Sequence, residues 1–407
     1  MRLSIILWAG FFISGMAVHG DGLLKKDLLY YENCESLKSV YPDVKVQQSI
    51  VVEEKGKFDK CFRIERRTLN TLDNGDFAKK ESDAWIFKNN AEWKENGGCG
   101  NSSCLQLDNG EVSIPLTDLK PDSANAFSFY VKKTDVSADA AALTVTWDCR
   151  GKDTELLKDF NVPTEMEGVK LCIMPENDAG TINISVKGQV IIDNAQLDRG
   201  VNFFNSFATP GKTRPCDWIE IPANGKYFNP EQGSISCWVN VPWLDKNAVS
   251  ESICAIFAAK NAPERIKKWG DDTVMALSCI PKQKVNDKTK GMFHAISIDA
   301  ENRVSGLSES LDKFQTDSSN PWHHIVYNWQ VKDGKINVSL YVDGKIMLTK
   351  EQLFGPVKKP VLIYVGYASG AYLNGLLDDF AIFGKPLNES EINKIYNSNK
   401  PLSTLLK

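Results

Sequence analysis

The sequence predicts an all-β protein made of two antiparallel β-sandwiches (jelly rolls), one nested in the other. Apolar and polar side chains alternate with a period of two along many runs, among them residues 127–131, 182–186 and 336–342. Asp333-Gly334 and Asp343-Gly344 are typical of tight hairpin turns, because Asp-Gly tolerates the positive φ that such turns need. Helix signals are few; the strongest covers residues 388–397, where Asn388 can cap the first turn.

The N-terminal residues 1–20 have the plan of a secretory signal peptide. Arg2 is followed by an apolar run from Leu3 to Val18 and then by small residues. The alternative interpretation is a membrane anchor, but this run of about 16 residues is shorter than the ~20 that span a bilayer. We therefore expect a secreted protein, or one at the cell envelope or cell surface, without a transmembrane segment after signal cleavage.

Length and charge restrict the classes of partner. The chain has 407 residues and a net charge of −4. That length favours two or three domains. No block of basic residues stands out, and a phosphate-binding surface needs clustered lysine and arginine, so we expect no nucleic-acid partner.

The ten cysteines all lie downstream of the signal. An even number in an exported chain favours disulfides. The three predicted pairs are Cys99 with Cys104, Cys149 with Cys172, and Cys254 with Cys279. The first closes a short loop, and the third joins two strand-like runs that could be neighbours. The alternation of Cys149 and Cys172 fits a bridge poorly unless a bulge intervenes, and buried free thiols remain the alternative.

Several motifs carry a resemblance to a known family. WHHIVYNW at 322–329, YVDGK at 341–345 and the segment 366–392, with its GLLDDF strand, resemble the C-terminal half of a laminin-G-like or concanavalin A-like lectin domain. DLLYYENCESL and KGKFDKCFRIERR, within residues 27–67, resemble the opening of the same domain. The resemblance implies a β-sandwich that binds ligands, mostly glycans.

A second resemblance covers the residues between those two parts. NGDF at 74–77, followed by Trp85, and IIDN at 191–194 resemble the opening turn and closing strand of family 4/9 carbohydrate-binding modules. We therefore predict a module at 69–200 inserted into a discontinuous lectin-like domain of residues 24–68 plus 201–397. The alternative is an N-terminal extension followed by two domains in series.

The sequence shows no recognisable catalytic site. Lectin-fold glycosidases carry two carboxylates on one strand face in an E-x-D-x-x-E pattern, and this pattern is missing. Asp378 and Asp379 are consecutive, so regular alternation would place them on opposite faces. No nucleophile elbow is found, and only three histidines follow the signal. We therefore expect a protein that is not an enzyme.

Structural calcium is the cofactor that the resemblance implies. In such modules the ion often joins the opening turn to the closing strand, and the matching residues here are Asp76 and Asp193. The family's further acidic positions are Ala78 and Asn194, which weakens the match. In the lectin-like domain, Asp378 either binds calcium or accepts backbone N–H bonds.

Three aromatic residues are the candidate sugar-binding residues, because aromatic rings stack on the C–H faces of pyranoses. Trp93 follows the turn-rich stretch NNAE, and Tyr130 lies on the strand face opposite Phe127 and Phe129. The candidates are Trp93, Tyr130 and Trp147, and alternation favours a core position for Trp147. Trp85 lies in an apolar run and is predicted to be core. The expected function is non-catalytic recognition of a glycan or polysaccharide. The alternatives are a cell-surface adhesion or structural protein that uses both sandwiches for protein contacts, and a glycosidase with unrecognised acids.

Overall fold

The structure is a computed structural model that describes residues 21–134, 141–200, 207–244, 253–261, 273–281, 291–298, 304–313, 321–354, 358–368 and 370–406. The predicted signal, residues 1–20, lies outside the described residues. The chain is mostly antiparallel strands gathered in two sandwiches, so the all-β prediction is confirmed. None of the helices in the described ranges is long and apolar enough to cross a membrane.

The N-terminal segment contributes one helix and five short strands. They are α1 (Asp21–Asp27), β1 (Leu28–Glu32), β2 (Lys45–Val46), β3 (Val51–Glu53), β4 (Cys61–Ile64) and β5 (Thr68–Leu69). Ten strands follow: β6 (Ile86–Lys88), β7 (Ala91–Lys94), β8 (Cys104–Asp108), β9 (Glu111–Leu116), β10 (Asn125–Lys133), β11 (Ala142–Cys149), β12 (Lys152–Asn161), β13 (Glu167–Ile173), β14 (Gly180–Lys187) and β15 (Gln189–Arg199).

The C-terminal segment contributes the remaining strands and two helices. The strands are β16 (Thr213–Arg214), β17 (Ile219–Pro222), β18 (Gln232–Asn240), β19 (Cys254–Lys260), β20 (Thr273–Ile280), β21 (Met292–Ile298), β22 (Val304–Ser310), β23 (His323–Lys332), β24 (Lys335–Val342), β25 (Lys345–Phe354), β26 (Leu362–Val365), β27 (Tyr367–Ala368), β28 (Ala371–Tyr372) and β29 (Gly375–Phe383). The helices are α2 (Glu389–Asn397) and α3 (Leu402–Leu405). Single 3-10 turns cover Cys99–Asn101, Pro242–Leu244 and Leu311–Lys313.

The outer sandwich combines strands from both ends of the chain. One sheet has the order β25-β24-β23-β18-β29-β4-β3, with β1 also paired to β29. The other has the order β2-β17-β26-β19-β20-β21-β22, with β27 and β28 attached. In the first sheet Leu28 faces Phe383 and Tyr31 faces Ala381, so the predicted pairing of the first strand with the last is confirmed.

The inserted sandwich is built from β6 to β15. Its sheets have the orders β13-β10-β15-β8-β7 and β12-β11-β14-β9-β6, and they enclose their own apolar core. The chain leaves the outer sandwich after β4 and returns at β17. The two connections pair with each other as the ribbon β5–β16, in which Leu69 faces Thr213. Entry and exit therefore lie side by side, the geometry that lets a loop accept an inserted domain.

Helix α2 covers the outer face of the first sheet. Asn388 caps it with a complete capping box to Glu391, so the predicted helix is confirmed. Ile392 and Ile395 are buried on this face with Ala381 and Phe383 of β29. A second, mostly aromatic cluster beside it includes Trp238 and Trp322.

A β-bulge in β29 changes the orientation of the paired acids. The register with β18 shifts between Ser236 and Trp238, and Asp379 adopts a φ of 53°. Leu377 and Phe380 both lie in the core between the sheets. The two residues between them, Asp378 and Asp379, therefore both lie on the outer face of the sheet. The prediction that these two acids face opposite ways is therefore wrong, because a bulge inserts one extra residue into the pleat.

All ten cysteines are free thiols in this structure, so the three predicted disulfides are not formed in it. Cys254 and Cys279 are direct neighbours across β19 and β20, as the sequence suggested. Cys149 and Cys172 belong to different sheets of the inserted sandwich, because β11 and β13 do not share a sheet.

Candidate functional site at the junction of the two sandwiches

A cleft of about 180 Å³ opens between the inserted sandwich and the edge of the outer one. Strands β10, β13 and β15 form one wall, and β3 and β4 form the other. The side chains that matter below are Glu53, Arg63, Ser128, Tyr130, Lys170 and Asn194. The cleft is therefore composed of residues from both sandwiches, which lie far apart in sequence.

Tyr130 is the exposed aromatic residue in this cleft. Alternation along β10 buries Phe127 and Phe129 in the inserted core and turns Ser128 and Tyr130 outwards. Tyr130 faces Gly168 of β13, and a Cβ atom at that glycine would lie 3.8 Å from the tyrosine ring. The ring thus lies over a position without a side chain and is 40% exposed.

A buried ionic network fixes the opposite wall. Arg63 Nε donates to Glu53 Oε1 at 2.5 Å, and Nη1 lies 3.7 Å from Glu65 Oε1. Glu65 is buried and lies 3.4 Å from Arg214, which in turn pairs with the fully buried Asp217 at 2.6 Å. Strand β4 precedes the point where the chain leaves the outer sandwich, and β16 lies where the chain returns to it. This network therefore links the cleft wall to the connection between the two sandwiches.

The electrostatics of the cleft are those of partly buried charges. Burial, followed by the nearby positive charge of Arg63, lowers the pKa of Lys170. Burial is also the main cause that raises the pKa of Tyr130, and the Cys99 thiol adds to it. The Lys170 ammonium group and the Arg63 guanidinium, which come from different sandwiches, thus influence each other across the cleft.

Asp193 is a structural residue just behind the cleft. Its Oδ2 accepts hydrogen bonds from Cys99 N at 2.8 Å and Ser102 Oγ at 2.6 Å, and its Oδ1 accepts from Asn194 N at 2.6 Å. Burial, which outweighs these hydrogen bonds, raises the pKa of Asp193, and the charge of Asp76 raises it further. Asp193 therefore anchors the loop of residues 97–104 to β15, next to Asn194 in the cleft wall.

Each of the three acids predicted to bind calcium accepts hydrogen bonds within the protein. Calcium takes about 6–8 oxygen ligands, whereas the described ranges contain no group of three or more His, Cys, Asp or Glu residues that could hold a metal. Asp76 accepts the N–H of Ala78 at 3.3 Å. Asp378 Oδ2 accepts the N–H groups of Lys57 and Phe58 at 2.9 and 3.1 Å, which is the other role foreseen for it. Calcium at these positions stays a prediction that the donor arrangement does not favour.

Two of the three predicted sugar-binding aromatics lie elsewhere. Trp147 is 4% exposed and belongs to the inserted core. Trp93 is half-buried against that core, and its Nε1 donates to Phe77 O at 2.7 Å. Trp85 is buried as predicted, in contact with Phe77. The turn-rich sequence around Trp93 gave no sign of this partner, because Phe77 approaches it from another loop.

Sequence reasoning missed the charged half of the cleft, namely Glu53, Arg63 and Lys170. The available signal was weak: Arg63 is a polar residue between the apolar Phe62 and Ile64, and Lys170 alternates with Val169 and Leu171. Alternation identifies both as facing outward from their sheets. It does not reveal that the two outward faces meet.

Comparisons with known proteins address the outer sandwich most directly. Residues 285–393 match a family model described as the concanavalin A-like lectin/glucanases superfamily. No curated protein sequence matches the chain. The structural neighbours include the receptor-binding domain of botulinum neurotoxin type G (14% identity, TM-score 0.30, covering 45% of this chain and 42% of that one).

Another neighbour is the CBM22-1 xylan-binding domain of Paenibacillus barcinonensis Xyn10C (15% identity, TM-score 0.27, covering 30% of this chain and 90% of that one). A third is the ligand-binding domain of botulinum neurotoxin serotype D in complex with N-acetylneuraminic acid (16% identity, TM-score 0.32, covering 45% and 40%). The chain thus spans less than half the length of the neurotoxin domains. The family match confirms the predicted resemblance for residues 285–393, which are concanavalin A-like.

Proposed function

We propose that this chain is a secreted, non-catalytic carbohydrate-binding protein and that the cleft between its sandwiches is the binding site. The proposed domains are residues 24–68 with 201–397 and an inserted module at 69–200. One observation carries the proposal. Tyr130 presents an exposed ring over Gly168, with polar side chains from five strands around it.

The chemistry of the cleft suits a sugar residue. Pyranose C–H faces stack on an aromatic ring, while hydroxyl groups exchange hydrogen bonds with nearby polar side chains. Ser128 and Asn194 supply an O–H and an amide beside Tyr130. Ligand pockets for drug-sized molecules are typically ~300–1,000 Å³, so a cleft of about 180 Å³ suits about one sugar residue of a longer chain.

The same cleft supports a binding rather than a hydrolytic role. A glycosidase needs two carboxyl groups roughly 5–10 Å apart beside the scissile bond. Among the described residues that line the cleft, Glu53 is the carboxylate, and it is paired with Arg63. The alternative is an adhesion protein that uses both sandwiches for protein contacts, which predicts no effect of Tyr130 on glycan binding.

The test is a glycan array probed with the full secreted chain, followed by titration of the best ligand. Tyr130→Ala should weaken binding by roughly 1–3 kcal/mol, the scale of one buried aromatic contact. Phe87→Ala is the matched control, since Phe87 is a similarly exposed aromatic (37%) on the opposite sheet of the inserted sandwich.

Equal affinity of the two variants for glycans would reject the cleft as the site. Failure of the wild-type protein to bind any glycan, together with capture of a cell-surface protein, would favour adhesion instead. Hydrolysis of a bound oligosaccharide that Glu53→Gln abolishes would overturn the non-catalytic assignment.

A further inference from the structure

Two positively charged side chains from different sandwiches line the same small cleft. Lys170 projects from β13 of the inserted sandwich, and Arg63 from β4 of the outer one. Burial and then Arg63 lower the pKa of Lys170, while Glu65 and Glu53 raise it, so these charges lie within electrostatic range of one another. An anionic group bound between Lys170 and Arg63 would favour the charged form of both side chains.

The Arg63 guanidinium is held in place and still has unused donors. It offers five N–H groups in a planar fork, of which Nε binds Glu53 and Nη1 faces Glu65. Nη2 makes no hydrogen bond within the described part of the chain. Because the buried Glu65, Arg214 and Asp217 fix its position, Arg63 would lose little side-chain freedom on binding a ligand.

Glu53 shows what kind of group the fork accepts. Its carboxylate occupies the Nε edge of Arg63 at 2.5 Å, and its side chain is one-third exposed, at 33%. A carboxylate on a bound sugar has the same planar geometry and can approach the remaining edge or replace Glu53. A neutral sugar would stack on Tyr130 but offer no negative charge to Lys170 and Arg63.

We propose, building on the glycan-binding function proposed above, that the cleft selects acidic glycans and holds the sugar carboxylate between Lys170 and Arg63. The sugar ring lies on Tyr130, and its hydroxyl groups face Ser128 and Asn194. The site is therefore composite: the inserted sandwich supplies the aromatic platform, and the outer sandwich supplies the Arg63 anchor.

The test pairs each acidic ligand with a neutral counterpart. Oligogalacturonate and its methyl ester, glucuronate-containing oligosaccharides and their methyl esters, sialyllactose and lactose, and sulfated and unsulfated galactan are titrated into the full chain. Wild-type protein should bind at least one carboxylated ligand about tenfold or more tightly than its neutral partner, the scale of a charged hydrogen bond. This preference should decline as ionic strength rises.

Three variants test which side chains cause the preference for acidic ligands. Lys170→Gln should remove most of the preference for each acidic ligand over its neutral counterpart. Arg63→Lys keeps the charge but lacks the fork, so it should reduce the preference too. Glu53→Gln removes the competing carboxylate and should strengthen acidic binding. Lys158→Gln is the control, since Lys158 is an exposed lysine on the opposite sheet.

The possible outcomes separate this inference from the function on which it rests. If neutral and acidic ligands bind equally, through Tyr130, glycan binding stands and the acidic selectivity is rejected. If Glu53→Gln weakens acidic binding, or Lys158→Gln matches Lys170→Gln, the anchor residues are wrong. Preference for sulfated galactan alone rejects a carboxylate as the bound group. If no glycan binds at all, the proposed function itself fails.

Discussion

Tyr130 lies directly opposite Gly168, and its ring covers the space that a side chain at position 168 would occupy. This relationship gives the ring its position in the cleft, because β10 presents it outward while β13 leaves room beneath it. Aromatic residues often cover cross-strand glycines in this way. The pair thus determines both the local sheet surface and the proposed sugar platform.

Enlarging residue 168 should therefore displace the ring. Gly168→Leu places methyl groups beneath Tyr130 and should lower glycan affinity about tenfold with little change in melting temperature. Gly168→Ala is the control, since its Cβ would make only ordinary contacts, at 3.8 Å, and should retain binding. Isothermal titration beside thermal melting distinguishes the two. Unchanged binding by Gly168→Leu would show that the ring position does not matter.

Both tryptophans of the opening segment should matter for stability. Trp85 is buried, and replacing it with Ala should cost roughly 3–5 kcal/mol of unfolding free energy. Trp93 is half-buried and donates to Phe77 O, so Trp93→Ala should cost roughly 1–3 kcal/mol. Trp93→Phe keeps most of the aromatic surface but loses the N–H, so its free energy of unfolding should lie between those of wild type and Trp93→Ala. Denaturant titration measures all three. Wild-type stability of Trp93→Ala with a loss of glycan affinity would restore Trp93 as a sugar-binding residue.

The acid pair in β29 should make stability depend on pH. Burial, and then the neighbouring Asp379, raise the pKa of Asp378 to about 7, and burial raises the pKa of Asp379 to about 6. Both pKa values lie above the ~3.9 of an unfolded Asp. The folded state therefore holds protons that the unfolded state releases. The stabilisation is complete below about pH 4 and is lost as the pH rises through 6 to 7.

Asp378→Asn should reduce this loss, because a neutral amide keeps an acceptor for the N–H groups of Lys57 and Phe58. At pH 8 the variant should be more stable than wild type by on the order of 1–3 kcal/mol, and at pH 4 the difference should nearly disappear. Urea unfolding at several pH values measures both. A variant that is equally destabilised at every pH would show that the carboxylate is needed in its charged form.

Removal of calcium should leave the inserted sandwich intact. The oxygens of Asp193 are already engaged by Cys99, Ser102 and Asn194, so a chelator should not change the melting temperature. Asp193→Ala should destabilise the fold by about 1–3 kcal/mol, because it leaves the part-buried N–H of Cys99 without its acceptor. A chelator-induced drop in melting temperature that added calcium reverses would instead establish a structural ion.

The buried network at the domain connection should be far more sensitive than a surface pair. Asp217→Ala leaves Arg214 without its closest carboxylate and should cost about 3–5 kcal/mol. Glu220→Gln breaks the exposed pair with Lys45 and should cost less than about 1 kcal/mol. Chemical denaturation measures the free energy of unfolding of both variants. Equal, small losses would mean that the network does not hold the connection together.

Local side-chain patterns were enough to predict several features of this fold. Alternation placed Ile336, Val338, Leu340 and Val342 in the core of the outer sandwich. The Asp-Gly pairs at 333 and 343 adopt the expected positive φ, and Asn388 caps the helix that it predicted. These features depend on neighbours within a few residues, so the pattern of side chains is enough to specify them.

The composition of the cleft and the orientation of the acid pair depend instead on contacts between distant segments. Arg63 and Lys170 meet because the inserted sandwich rests against the edge of the outer one, a contact that no local pattern encodes. One bulge at Asp379 reversed the alternation that the sequence predicted for β29. Strand periodicity specifies which face a residue occupies. What that face meets depends on packing between segments far apart in the chain, and a single inserted residue changes the face for everything that follows it.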